Sequence, residues 1–231
     1  MLRSVAPNIA LKTAVASLAR VYRVGTPLTD PLSILVWDNI GYLIDDERRG
    51  ALFAEFKKKI GLSAHLIANA PMLVLTDIAK RGGMHPQKRA GRILEIGRLS
   101  IAECDGDMMR VLNALPLPKA RALLKKFPSI GDPGADKILL FTGITPQPSI
   151  DSNGMRALLR LGYCAEHKNY SQTYKAAVAA LAGASTDAEW LKRAYVVLRE
   201  HGKALCKRAT PICEPCPLDP ICAHAAIASG I

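Results

Sequence analysis

Residues 206–222 read "CKRATPICEPCPLDPIC", which places four of the chain's six cysteines in one short stretch. The spacing is C-x6-C-x2-C-x5-C, and Cys206, Cys213, Cys216 and Cys222 are the candidate metal ligands. Structural zinc is usually bound by two close pairs of ligands, and only one close pair is present here. An iron–sulfur cluster is wider than a single ion and suits wider spacings. The spacing therefore favours an iron–sulfur cluster and leaves zinc, disulfides and free thiols as alternatives.

The composition predicts a helical protein with an anionic partner. Apolar residues make up 49% of the 231 residues and are largely Ala and Leu, which favour helix. Lys and Arg outnumber Asp and Glu by 31 to 20, which gives a net charge of +11. This balance suits nucleic acid or an anionic membrane surface. No apolar run is long enough to span a bilayer, so we expect no membrane protein.

The N-terminal segment leaves two interpretations open. Residues 1–23 are basic and contain no acidic residue, which fits an amphipathic helix or a mitochondrial-type presequence. The segment lacks the continuous apolar stretch of a signal peptide. A reducing compartment is therefore expected, and it argues against disulfides. We predict a cytoplasmic protein, or one of an organelle or the nucleus if the source is eukaryotic.

The remaining chain is a succession of helical patterns without a long alternating β pattern. "LSILVWDNIGYLI" (32–44) is apolar almost all round and predicts a buried helix. The turn-rich "TGITPQPSID" (142–151) is the best candidate for a domain crossing. We therefore predict two lobes, one formed by 27–143 and the other by 1–26 together with 144–231.

"LLKKFPSIGDPGADKILL" (123–140) predicts a helix, a tight turn and a second helix. Gly131 and Gly134 permit positive φ or a close backbone approach. Asp132 is a candidate N-cap, and Pro133 suits the first helical position. The stretch is either an ordinary αα-hairpin or a turn whose backbone N–H groups hold a phosphate.

The cysteine spacing and this hairpin, in a basic helical chain, resemble the endonuclease III family of DNA glycosylases. The resemblance implies an all-α, two-lobed helix-hairpin-helix DNA glycosylase fold with a C-terminal [4Fe-4S] cluster loop. The cluster would be structural and would shape a loop whose Lys207 and Arg208 contact the DNA backbone. The implied partner is double-stranded DNA containing a damaged, mismatched or abasic site, bound by a nucleoid-associated monomer. The active site would lie in a cleft between the lobes.

In that family the hairpin turn reads roughly Leu-Pro-Gly-(Val/Ile)-Gly, and residues 127–131 fill those places here. The family binds a DNA phosphate at this turn, often through an alkali cation. The resemblance therefore implies DNA contacts from Lys125, Lys126, Pro128, Ser129, Ile130, Gly131 and Gly134.

This chain departs from the family at the position of the catalytic lysine. Bifunctional members carry a lysine two residues after the last hairpin glycine, and Pro133 stands there. The departure implies base removal by water, without strand cleavage through a Schiff base. Lys137 lies one turn further along the same helix face, so a relocated amine is the alternative.

Asp151 is the candidate catalytic carboxylate. Its position before "SNGMRALLRLG" also predicts an N-cap. The family carries an Asp at this place, before a helix that presents an Arg, and Arg156 matches that Arg. Breaking an N-glycosidic bond builds positive charge on the sugar, which a fixed carboxylate stabilises. The same carboxylate can accept a proton from the attacking water.

The family's helix after the first linker lines the base pocket, and "ILVWDNIGYLIDDERR" (34–49) corresponds to it. Glycosylases flip the base out of the duplex, and a side chain fills the gap that it leaves. Leu43 falls at about that position, and Asp38, Asn39 and Tyr42 offer hydrogen bonds or stacking. The lesion stays open among oxidised pyrimidine, alkylated purine, uracil and a mismatched base. A non-catalytic iron–sulfur damage sensor is the alternative from another class.

Overall fold

The computed structural model describes residues 10–23 and 25–228, with side chains as far as residue 226. This part of the chain is helical, and its extended segments pair only at one bridge, between Tyr42 and Gly83. The predicted all-α class is therefore confirmed. The helices, numbered in chain order, are α1 (Leu11–Val21), α2 (Pro31–Ile40), α3 (Asp46–Lys59), α4 (Ala64–Ala68), α5 (Met72–Lys80), α6 (Pro86–Cys104), α7 (Met108–Ala114), α8 (Leu117–Leu124), α9 (Asp132–Phe141), α10 (Ser152–Leu161), α11 (Tyr170–Ala184), α12 (Ala188–Ala204) and α13 (Ala223–Ala228), with a short 3-10 helix at Asp219–Ile221.

The chain divides into two units, one formed by Pro27–Ile144 and the other by Met1–Thr26 together with Thr145–Ile231. Helices α2 to α9 belong to the first unit, and α1 and α10 to α13 belong to the second. None of the helices in the described ranges is long and apolar enough to cross a bilayer.

The unit formed by residues 27–144 is built around α6, which packs against α2, α4 and α5. Helix α6 begins at a proline, whose fixed φ suits the first turn, and buries Ala90, Ile93 and Ile96. Gly97 lets α4 approach closely, because a Cβ at this position would lie 2.4 Å from the backbone nitrogen of Ala68. The small residue on α6 thus determines the spacing of the two helices.

Helix α2 ends earlier than the apolar pattern predicts. Asp30 caps its start by accepting the Ser33 N–H at 2.7 Å, but the helix stops at Ile40 rather than continuing to residue 44. The Tyr42 N–H donates instead to the Gly82 carbonyl at 2.8 Å, and Leu43 takes a left-handed φ of 58°. A contact with a distant loop therefore overrides the helical pattern of residues 41–44.

The second unit packs α12 against α10 and α1. Helix α12 begins at an N-cap, Asp187, which accepts the Trp190 N–H at 2.7 Å, and it buries Leu191, Val197 and Leu198. Helix α1 covers Leu11–Val21 within the N-terminal segment. The first nine residues of the candidate presequence lie outside the described residues.

Candidate active site and cysteine loop

Asp151 is the N-cap of α10, as predicted. Its Oδ1 accepts the N–H groups of Asn153 at 3.0 Å and Gly154 at 2.8 Å. These two bonds hold the carboxylate in one orientation, because the first N–H groups of a helix have no partner within the helix. The other oxygen, Oδ2, is therefore the one that remains available to other groups. The Asp151 side chain is 24% exposed.

Two side chains that the sequence did not single out lie beside Asp151 Oδ2. Asn153 Nδ2 lies 3.4 Å from this oxygen, and Arg199 Nε of α12 lies 3.5 Å from it. The Nη1 of Arg199 also pairs with the neighbouring Glu200. Burial raises the pKa of the Tyr170 phenol, and the negative charge of Asp151 raises it further. Asn153 is adjacent in sequence, but Arg199 is brought to the site only by the packing of α12 on α10.

Helix α10 joins the Asp151 site to the cysteine loop through two arginines one turn apart. Arg156 donates to the Asn153 side-chain oxygen at 3.0 Å and to the Cys206 carbonyl at 2.9 Å. Arg160 donates to the Lys207 carbonyl at 2.7 Å and lies 3.4 Å from the Cys206 sulfur. The start of the cysteine loop and the start of α10 are therefore tied to the same helix.

The four cysteines line one cavity. Cys206, Cys213, Cys216 and Cys222 surround about 350 Å³ of space, counted together with the solvent at its mouth. None of them forms a disulfide. Within the described part of the chain, no three His, Cys, Asp or Glu side chains are grouped so that they could hold a single metal ion. The thiols thus border a shared space without converging on one point.

Polar groups also surround these sulfurs. The Cys216 sulfur lies 3.8 Å from Nε2 of the buried His201, whose Nδ1 lies 3.2 Å from the Tyr22 hydroxyl. Burial raises the pKa of the Cys216 and Cys222 thiols and lowers the pKa of His201 to about 4. A bound metal group would favour the thiolate form and so oppose the effect of burial. The donor set and the shared cavity therefore fit a four-cysteine cluster.

Lys207 and Arg208 are exposed at the start of the cysteine loop, as their predicted DNA-binding role requires. Their carbonyls accept hydrogen bonds from Arg160, at 2.7 Å and 3.0 Å. The backbone is thus held while both side chains point to solvent. Their contact with DNA stays a prediction.

The predicted hairpin is present between α8 and α9. Phe127 and Ile130 are 2% and 8% exposed and anchor the turn, while Ser129 is exposed with a left-handed φ of 67°. Gly131 has a φ of −103°, so it does not adopt the positive φ that glycine permits. Serine occupies the conformation that glycine would favour. The Ile130 N–H donates to the Phe127 carbonyl at 3.2 Å and is used within the turn.

The N-cap of α9 is Gly131 rather than Asp132, so the predicted cap and the first-position proline are each displaced by one residue. The Asp132 carboxylate is drawn instead to Lys125, at 2.8 Å, and to Arg121, at 3.6 Å. Lys126 pairs with Glu103 of α6 at 2.7 Å. Both predicted DNA-binding lysines are thus solvent-facing but already paired, and exposed pairs of this kind are weak.

Pro133 lies in the first turn of α9 and offers no nucleophile. Lys137, one turn later, forms an ion pair with Asp38 of α2, and the two side chains are 16% and 25% exposed. The structure therefore joins two residues that the sequence named for different roles. A Schiff base at Lys137 would require its Nζ to leave this pair.

The remaining candidate pocket residues lie at the end of α2. Asn39 is 2% exposed and donates to the Leu35 carbonyl at 3.0 Å, so it is less accessible to a base than predicted. Tyr42 and Leu43 are 50% and 74% exposed on the turn that follows. Trp37 is half-buried and packs edge-on against Phe53. The exposed Leu43 has the geometry of a wedge, and its role stays a prediction.

Comparison with known proteins supports the fold. No family model matches the chain. It is 28% identical over 109 residues to the thymine-DNA glycosylase of Aeropyrum pernix, a match that covers 47% of this chain. The chain spans about half, 49%, of that relative's length in this match.

Solved structures match over almost the whole chain. A non-covalent complex of endonuclease III with DNA aligns with a TM-score of 0.74 and 18% identity, covering 96% of this chain and 97% of that one. A thermostable thymine-DNA glycosylase aligns with a TM-score of 0.73 and 16% identity, covering 94% and 96%. The predicted fold of endonuclease III-like DNA glycosylases is therefore confirmed.

Proposed function

We propose that this protein is a DNA glycosylase that flips a damaged or mismatched base out of double-stranded DNA and hydrolyses its N-glycosidic bond. The observation that carries the proposal is the orientation of Asp151. One carboxylate oxygen is held by two backbone N–H groups, and the other lies beside the Asn153 and Arg199 side chains. The fold shared with endonuclease III supports the same activity.

The chemistry follows from this orientation. As the base leaves, positive charge develops on the sugar, and Asp151 Oδ2 is the negative oxygen placed to stabilise it. The same oxygen can take a proton from the attacking water. Because Oδ1 is already bonded, the carboxylate need not reorganise as charge develops, which makes its stabilisation effective.

The reaction is proposed to be hydrolytic. Pro133 has no amine, and Lys137 is engaged by Asp38. Borohydride trapping on a duplex with an abasic site tests this assignment. A covalent adduct that disappears in Lys137→Ala would replace the hydrolytic mechanism by a lyase mechanism at that amine.

The four cysteines are proposed to hold a [4Fe-4S] cluster. Such a group, bound by one thiolate per iron, would fasten the loop that carries Lys207 and Arg208. Iron and sulfide analysis of protein purified without oxygen tests the assignment. A colourless protein that contains one zinc per chain would contradict it.

Base release should be measured on a panel of duplexes that each contain a different lesion. The panel should begin with thymine opposite guanine, because the relative in Aeropyrum pernix is a thymine-DNA glycosylase. Uracil, an oxidised pyrimidine and an alkylated purine complete the panel. Each duplex is analysed with and without alkali, which separates base release from strand cleavage. Salt-dependent binding to lesions without any turnover would favour a damage sensor instead.

A further inference from the structure

Arg199 places a positive charge beside Asp151, the proposed catalytic carboxylate. Its Nε lies 3.5 Å from Asp151 Oδ2, the oxygen that we assign to the developing positive charge. A guanidinium at this distance offsets the negative charge that the reaction needs. The same guanidinium would also repel a cationic sugar. Arg199 in this position therefore opposes the chemistry that Asp151 is proposed to perform.

The contact is suited to being exchanged. Both side chains are 24% exposed, so solvent weakens the attraction between them. The contact between Arg199 Nε and Asp151 Oδ2 is 3.5 Å long, whereas strong charge-assisted hydrogen bonds are about 2.7–2.9 Å. Glu200, which pairs with Arg199 Nη1, is 29% exposed and has a second partner, Lys203, at 3.7 Å. Glu200 thus divides its negative charge between two cationic side chains.

Asp151 does not depend on Arg199 for its orientation. Its Oδ1 keeps both backbone N–H groups, and Asn153 Nδ2 remains 3.4 Å from Oδ2. Asn153 is itself held by Arg156 at 3.0 Å. Removing the guanidinium would expose the Oδ2 charge without releasing the carboxylate.

We propose that Arg199 exchanges partners when DNA binds, leaving Asp151 for a backbone phosphate of the nucleotide being processed. This inference rests on the proposed function of Asp151. C1′ belongs to a nucleotide flanked by two phosphodiesters, so a carboxylate that reaches C1′ brings its arginine neighbour close to a phosphate. Arginine binds phosphate oxygens in a two-pronged geometry, which is stronger than the contact that it leaves. Arg199 thus shields Asp151 in the free protein and contributes to DNA binding in the complex.

The test compares Arg199→Gln with Arg199→Lys, and uses Arg193→Gln as the matched control. Arg193 is exposed on another face of α12, so the control removes the same charge from the same helix. Binding is measured against salt concentration on a duplex with a tetrahydrofuran abasic-site analogue. Base release is measured under single-turnover conditions at saturating protein.

Arg199→Gln should weaken binding by about tenfold or more, and should reduce the slope of log affinity against log salt by about 0.9. Arg199→Lys should keep the slope, and Arg193→Gln should leave the affinity within about twofold. At saturation, Arg199→Gln should lose less in the rate of base release than in DNA affinity, because the proposed exchange moves the arginine away from Asp151 in the complex.

An unchanged salt slope in Arg199→Gln would overturn the exchange, and so would a large loss of rate at saturation. The second result would mean that Arg199 stays beside Asp151 and orients it. The binding measurement does not require base release. If the wild-type protein released no base from any lesion, the proposed function would fail while the phosphate contact could still be judged.

Discussion

Gly202 of α12 offers a sharp test of how the second unit positions Asp151. A Cβ at this position would lie 2.4 Å from the Asn153 carbonyl oxygen and 2.6 Å from its carbon. Both atoms are backbone, so no side chain can rotate away. Restoring an ordinary contact distance requires a shift of roughly 1 Å in α12 or in the start of α10. The methyl group of Gly202→Ala thus acts directly on the segment that carries Asp151.

Two effects of Gly202→Ala can be estimated. Overpacking of this kind lowers the free energy of unfolding by about 1–3 kcal/mol. Displacing a catalytic group by about 1 Å can lower the rate by about 100-fold. We therefore expect slow base release from a protein that still folds but melts at a lower temperature.

The assay combines single-turnover base release with chemical denaturation. Gly183→Ala on α11 is the matched control, because a Cβ there meets no atom within 4 Å. It should keep the wild-type rate and should raise stability by up to about 1 kcal/mol, because alanine favours helix over glycine. If Gly202→Ala matched wild type in both rate and stability, the reasoning from the backbone contact would be refuted.

Three further predictions concern the unit formed by residues 27–144. Arg89 is 3% exposed and donates to four backbone carbonyls. Arg89→Met should lower the free energy of unfolding, measured by urea denaturation, by about 3 kcal/mol or more. A loss below about 1 kcal/mol would contradict a stabilising role of these hydrogen bonds. Arg121 pairs at 2.7 Å with Asp136, which is 1% exposed. Arg121→Met should therefore lower the free energy of unfolding by about 3 kcal/mol, and adding Asp136→Leu should restore much of this loss in a double-mutant cycle. An equal loss in the double variant would refute the pairing. Hydrogen bonds, chiefly from Arg81, lower the pKa of Glu55 from 4.5 to about 2. The ionised Glu55 therefore stabilises the folded protein above pH 4.5, and this contribution is lost as the pH falls toward 2. The destabilisation caused by Glu55→Gln should be small, because the pair is exposed, and should shrink over that range; a pH-independent difference would contradict the assignment.

The sequence predicted those features that depend on local signals. The cap at Asp151, the helical class and the hairpin all follow from residues within a few positions of one another. The cysteine spacing made the hairpin and Asp151 recognisable as parts of one family's pattern. Local signals were therefore enough for the helical class and the hairpin, whereas the resemblance to the family implied the two-lobed fold and singled out Asp151 as catalytic.

Features that depend on distant partners could not be predicted in the same way. Helix α2 ends at Ile40 because the following turn bonds to Gly82 and because Arg89 binds the Ile40 carbonyl. Asp132 gives up the capping role because Lys125 attracts its carboxylate. Arg199 lies beside Asp151 although the two residues are 48 positions apart in the sequence. In the first two cases a contact with another segment outweighs the local preference, and in the third it brings in a side chain that no local signal predicts.

The central claim is that the charge of Asp151 drives base release, and Asp151→Asn tests it most directly. Asparagine caps helices as well as aspartate does, so this variant removes the charge and keeps the start of α10. Asp187→Asn, at the N-cap of α12, makes the same change away from the site and serves as the control. We predict that Asp151→Asn lowers single-turnover base release by at least about 100-fold, with an unchanged melting temperature and a DNA affinity no weaker than that of wild type. Full base release by Asp151→Asn, on a lesion that wild type processes, would contradict the account.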